Sequence, residues 1–187
     1  LFDSYETEQK IWKIWSTHPN NEELTLLLSK GSDFVFEQNY FKALDIFTEI
    51  INLDPSWAEA WNKRATVLYM IGEFQKSQKD IDKVLELEQR HFGALAGQGL
   101  VNIELENYEK AIKSYQRAKE LYPSMKSPEI SALKFEASAP SYFTAIDTIP
   151  AIQSFSDENK KARTCSTNRR ATGPGNAFAV LLPVATH

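Results

Sequence analysis

Residues 92–125 read FGALAGQGLVNIELENYEKAIKSYQRAKELYPSM, and the two windows before them, 24–57 and 58–91, repeat their pattern without a gap. Small residues coincide at Gly31, Ala65 and Gly99, and aromatic rings at Tyr40, Phe74 and Tyr108. Ala43, Ser77 and Ala111 form a third column, Phe47, Ile81 and Tyr115 a fourth, and Ile50, Val84 and Ala118 a fifth. The windows close on Pro55, Gln89 and Pro123. Plain amphipathicity gives a rhythm of about 3.6 residues. Six columns at a spacing of 34 residues therefore mark a tandem repeat, and a period of that length is the signature of a solenoid.

Each column has a physical reason. The small residue lets the first helix of a window approach the second closely. The aromatic starts the second helix and wedges against the first. Ala43, Ser77 and Ala111 belong at the tightest crossing, where a larger side chain would push the helices apart, and Phe47, Ile81 and Tyr115 fill the gap toward the neighbouring window. Proline at 55 and 123 ends one helix and turns the chain into the next. Gln89 departs from that column, so a more continuous junction is expected there.

This order of small, aromatic, alanine, aromatic, alanine and proline resembles the tetratricopeptide-repeat family over residues 24–125. The resemblance implies an all-α, right-handed α-solenoid of three helix–turn–helix repeats, 24–57, 58–91 and 92–125. Trp61-Asn62-Lys63-Arg64-Ala65-Thr66, Arg90-His91-Phe92-Gly93-Ala94-Leu95 and Ile11-Trp12-Lys13-Ile14-Trp15 look like a bacterial, chiefly alphaproteobacterial, group of these proteins with plastid relatives. Many of that group look exported, and its function is poorly defined.

Outward from the repeats, residues 5–15 read as a helix with Ile11, Trp12, Ile14 and Trp15 on an apolar face. His18-Pro19-Asn20 breaks it, and Asn20 or Asn21 caps the next helix, whose first turn carries Glu22 and Glu23. Repeat arrays expose an apolar face at each end and need caps. Residues 1–23 are read as the N-terminal capping helix, and 126–139, started by Ser127-Pro128-Glu129, as the C-terminal one. Residues 140–187 carry four prolines, a Gly173-Pro174-Gly175 turn and, from Lys160 on, five basic and no acidic residues. They read as a poorly ordered tail.

The chain has 187 residues and a formal net charge of −4, which argues against broad nucleic-acid affinity. A single cysteine, Cys165, rules out an internal disulfide and a cysteine-built zinc site. No apolar run reaches the roughly 18 residues of a membrane-spanning helix. The chain begins at Leu1 and shows no signal peptide, which leaves cytosol and periplasm or export equally open. His18, His91 and His187 share no ligand spacing, and Gly97-Gln98-Gly99 lies inside a helix with no preceding strand, so no phosphate loop is read there. Asp80, Asp82, Glu86 and Glu88 are spaced like solvated helix faces. The reading is a non-catalytic chain without cofactor or metal.

In arrays of this kind function sits on the concave face, built by the first helix of each repeat. The resemblance assigns to it Leu28, Ser32, Val35 and Phe36, then Asn62, Thr66, Tyr69 and Met70, then Ala96, Leu100, Ile103 and Glu104. One subgroup of the family grips chaperone C-termini with lysine, asparagine and arginine; the corresponding positions here hold Leu28, Ser32, Lys63, Gly93 and Gly97, so that clamp is essentially missing. An apolar groove instead suits a partner protein's apolar peptide or amphipathic helix. Two alternatives accompany this reading. Val35, Phe36, Tyr69 and Met70 are buried by the array's own packing or by the C-terminal helix, or the chain is a structural module that forms homo-oligomers through its terminal helices, with Trp12 and Trp15 in the contact.

Overall fold

The computed structural model describes residues 2–125 together with 128, 133 and 134. Among these there are seven helices and no strand: α1 Phe2–Ser16, α2 Glu22–Phe36, α3 Tyr40–Leu53, α4 Ala58–Met70, α5 Phe74–Leu87, α6 Phe92–Glu104 and α7 Tyr108–Leu121. They pair as α2–α3, α4–α5 and α6–α7, one hairpin per repeat, and successive hairpins pack through α3 on α4 and α5 on α6. The described residues form an all-α solenoid. The tail at 140–187 lies outside the described residues, as does 126–139 apart from Pro128, Leu133 and Lys134.

Local chemistry sets the helix ends. Asn21 caps α2, its side-chain oxygen accepting from the Leu24 amide at 3.2 Å. At the tip of each hairpin one residue takes a left-handed backbone: Gln38 at φ 61°, Gly72 at 84° and Glu106 at 60°. The next residue's amide then reaches back into the helix, Asn39 to the Phe34 carbonyl, Glu73 to Leu68 and Asn107 to Asn102, at 2.7–2.8 Å, the Schellman closure of a helix end. This is a further column at the 34-residue spacing, hidden in the sequence because only one of its members is glycine.

Inside each hairpin the small column faces the fourth one. A Cβ on Gly31 would lie 2.5 Å from the Phe47 ring, and one on Gly99 would lie 2.6 Å from the Tyr115 ring. In the middle repeat Ala65 stands with the slimmer Ile81. Ala43 and Ala111 are fully buried, and the Ser77 hydroxyl, in the same column, donates to the Ala65 carbonyl at 2.8 Å. Ala111→Leu should therefore destabilise the fold by about 1–3 kcal/mol through overpacking. A thermal melt of that variant, set against the unaltered chain, checks it.

The expectation of an N-terminal cap would set α1 against the outer face of α2. The structure instead packs α1 on α4 and runs its tryptophans to the third repeat. The outer face of α2–α3 consequently stays open, with Leu26 and Leu53 well exposed. At the other end Leu133 is fully buried in one apolar cluster with Ile112, Ala118 and Met125.

Candidate functional site

The inner face is formed by α2, α4 and α6. The first turns of α4 and α6 are covered by α1. Trp12 is 2% exposed and meets the Phe92 ring edge-on at 5.3 Å. Gly93 leaves room for it: a Cβ there would fall 2.4 Å from the Trp12 ring. Trp15 stacks on the His91 ring at 3.9 Å, and its carbonyl accepts from the Trp57 indole at 2.9 Å. Glu8 accepts a hydrogen bond from the Tyr122 hydroxyl, and burial together with that bond pushes the Tyr122 hydroxyl up to about 12. The loop after α1 is tied down by His18, whose ring lies 2.7 Å from the Asp54 carboxylate. Hydrogen bonds from Ser56 and the His18 contact hold that carboxyl below its ordinary value.

Beneath the two tryptophans lies a buried polar cluster. Glu59 Oε1 is 3.3 Å from Lys63 Nζ, and Oε2 accepts from Asn62 at 3.0 Å and contacts His91 Nε2 at 3.0 Å. His91 Nδ1 accepts from the Ala94 amide at 3.0 Å, capping α6. An accepting Nδ1 places the ring's proton on Nε2, which donates to Glu59. Burial alone would push the Glu59 carboxyl up, but the Lys63 ammonium and the His91 hydrogen bond outweigh it and hold the carboxyl below its ordinary value. Lys63, the one cation at the positions of the chaperone clamp, is thereby consumed by an internal carboxylate, and Gly93, another of those positions, is filled by Trp12.

The residues assigned to the groove divide into two groups. Leu28, Val35, Asn62, Thr66, Tyr69, Ala96 and Leu100 are buried, and Leu28 and Val35 belong to the apolar cluster of the first repeat. Tyr69 packs on Phe74 and donates to Glu104 at 3.3 Å. Ser32, Met70, Ile103 and Glu104 are half-buried, and Phe36 is 90% exposed. The accessible remainder is thus a lip at the C-terminal ends of α2, α4 and α6. Asp80 does not sit on a solvated face: Arg64 grips it with two donors at 2.7 and 2.9 Å and reaches Thr48 of α3 at 3.3 Å. Among the described residues no group of three or more histidine, cysteine or acidic side chains is placed to hold a metal, and no helix is long and apolar enough to cross a membrane.

Reading the sequence missed the seat of α1. Its traces were Gly93, a position with no side chain under a passing ring, and the Glu59–Lys63 pair one helical turn apart among buried neighbours.

A family model of the tetratricopeptide repeat matches residues 92–125, the third window. A TPR repeat-containing protein of Rhizobium etli is 37% identical over 101 residues, which are 54% of this chain and 50% of the relative. Hsp70-Hsp90 organizing protein 2 of Arabidopsis thaliana is 30% identical over 95 residues, 51% of this chain and 17% of the relative. The chain therefore spans half or less of the length of these curated relatives. Among solved structures, the first TPR of Spaghetti (RPAP3) bound to the HSP90 peptide SRMEEVD superposes with a TM-score of 0.61 at 22% identity, covering 65% of this chain and 98% of that one. A crystal structure of MamA superposes with a TM-score of 0.58 at 20% identity, covering 92% and 90%. The hairpins, the residue columns that close them and these likenesses together show that the chain carries tetratricopeptide repeats folded as an all-α solenoid, with an alphaproteobacterial protein among its relatives.

Proposed function

We propose that the chain is a non-catalytic scaffold for protein–protein interaction, taking an apolar peptide or amphipathic helix of a partner on the inner face of α2, α4 and α6. One observation carries the reading: the α4 and α6 part of that face already holds such a helix, α1, with Trp12 over Gly93 and Trp15 on His91. A relative's structure contains an HSP90 peptide, and plant relatives are named as Hsp70-Hsp90 organizing proteins. The acidic chaperone tail is not the ligand favoured here, because Lys63 is neutralised by Glu59 and the Gly93 position is filled. Ser32, Phe36, Met70, Ile103 and Glu104 extend the contact along the open lip.

A labelled peptide of residues 2–16, titrated by anisotropy into the full chain and into a Trp12→Ala, Trp15→Ala chain, tests this. The double variant should bind about tenfold or more tightly than the unaltered chain, whose own tethered helix competes at an effective concentration on the order of millimolar. Binding should change little with salt, since the contacts are apolar. If neither chain takes up the peptide, the groove reading fails.

A further inference from the structure

The exposed large apolar side chains concentrate on the first repeat, and two of them, Leu26 and Leu53, lie on the outer face of α2–α3. With Leu24, Leu27, Asn21, Glu23, Lys30 and Glu49 they line a shallow groove of about 540 Å³. The repeat itself shows what such a face does further along the array. One period on from Leu26 stand Ala60 and Ala94, both 0% exposed at the junctions with the preceding hairpin. One period on from Lys30 stand Arg64 and Gln98, which reach back to Thr48 of α3 and Asp82 of α5. The corresponding positions of the first repeat are thus built as a contact surface, and no described residue covers Leu26 or Leu53, which are 63% and 64% exposed.

Two details select the occupant. A leucine at 26, where the inner junctions have alanine, holds off a helix seated at the same spacing, so another hairpin continuing the array does not fit. At the opposite end of the array Leu133 is buried with Ile112 of α7, so among the described residues part of the face that head-to-tail stacking of copies would use is already occupied. What remains is a face that carries leucines and both signs of charge, Lys30 beside Glu23 and Glu49. Such a face is complementary to itself.

We propose that two copies of this chain pair through the outer faces of α2–α3 about a two-fold axis, Leu26 and Leu53 interdigitating and each Lys30 meeting a carboxylate of the other copy. An isologous contact of this kind uses the same patch twice and closes at the dimer. It does not involve Trp12 or Trp15, which are engaged within their own chain.

Sedimentation velocity and light scattering of the full chain, from low micromolar to near-millimolar concentration, provide the test. The expected result is a monomer–dimer equilibrium with no larger species. Leu26→Glu and Leu53→Glu lie on exposed positions and should leave the circular dichroism unchanged while weakening the dimer about tenfold or more. Lys30→Glu should weaken it too, and mixing that chain with a Glu23→Lys, Glu49→Lys chain should restore a mixed dimer. A chain that stays monomeric throughout, a dimer indifferent to Leu26→Glu and Leu53→Glu, or growth into open-ended oligomers would each overturn the proposal.

Discussion

Glu59→Ala is expected to lower the unfolding free energy by about 3–5 kcal/mol, the range found when one partner of a buried ion pair is removed. The size follows from what is left behind. Lys63 is almost fully buried and would lose its counter-charge, while His91 would lose the acceptor of its Nε2 proton. An unpaired cation in that position must either bring in water or give up its proton, and both are costly. A Glu59→Met, Lys63→Met chain, which removes both charges, should recover a substantial part of the loss, because a buried pair is worth little against apolar residues of similar volume. Urea titrations of the three chains check the order.

The same carboxylate makes part of the stability pH-dependent, and the sign is fixed by its lowered pKa. The folded chain binds the Glu59 proton more weakly than the unfolded chain does. Its contribution is therefore complete above the ordinary carboxylate pKa of about 4.3 and disappears as the pH falls through the lower folded value. The gap between the unaltered chain and Glu59→Ala should narrow on acidification below that point and stay constant above it. A gap that widened toward acid would show the carboxyl to be neutral in the fold.

Trp12→Ala is the second large effect expected, a loss of about 3–5 kcal/mol by comparison with other buried aromatic truncations. Trp12 is the largest of the fully buried side chains. Its ring meets Trp15, His91 and Phe92 edge-on, so its removal strips α1 of its principal anchor. The hairpins α2–α3, α4–α5 and α6–α7 retain their own contacts. The loss should therefore be expressed as release of α1, read by hydrogen exchange as rapid exchange of α1 amides while those of α5 remain protected. Gly93→Ala should act in the same direction from the other side of the contact, since its new methyl would overlap the Trp12 ring.

What was legible in the sequence was what the repeat prescribes. Tyr40, Phe74 and Tyr108 begin α3, α5 and α7, and Ala43 and Ala111 are buried at the helix crossings. Such contacts are local in the chain, and the 34-residue period writes them three times. The place of α1 was not legible, because apolar residues at helical spacing state that a helix has a face to bury and not which surface receives it. Trp12 and Trp15 answer to His91, Phe92 and Gly93, a third of the chain or more away, and each of those partners occurs once. The groove was half legible for a related reason. Position along the first helix of each repeat selects the inner face, but whether Tyr69 or Phe36 is reached by solvent depends on what lies over it.

A stack of hairpins is a nearly one-dimensional object in which each unit touches only its neighbours, and such an object can fray from either end in steps. The bond from Tyr122 to Glu8 joins residues 114 positions apart and changes that character. α1 is thereby fastened to the third hairpin, so closing that contact costs the entropy of a long loop, and α1 seats only once α4, α6 and α7 are there to receive it. Fast assembly of the hairpins followed by one slower closure is the kinetic consequence. The equilibrium consequence is that opening of α6–α7 also loosens α1, while the α2–α3 hairpin keeps its own contacts.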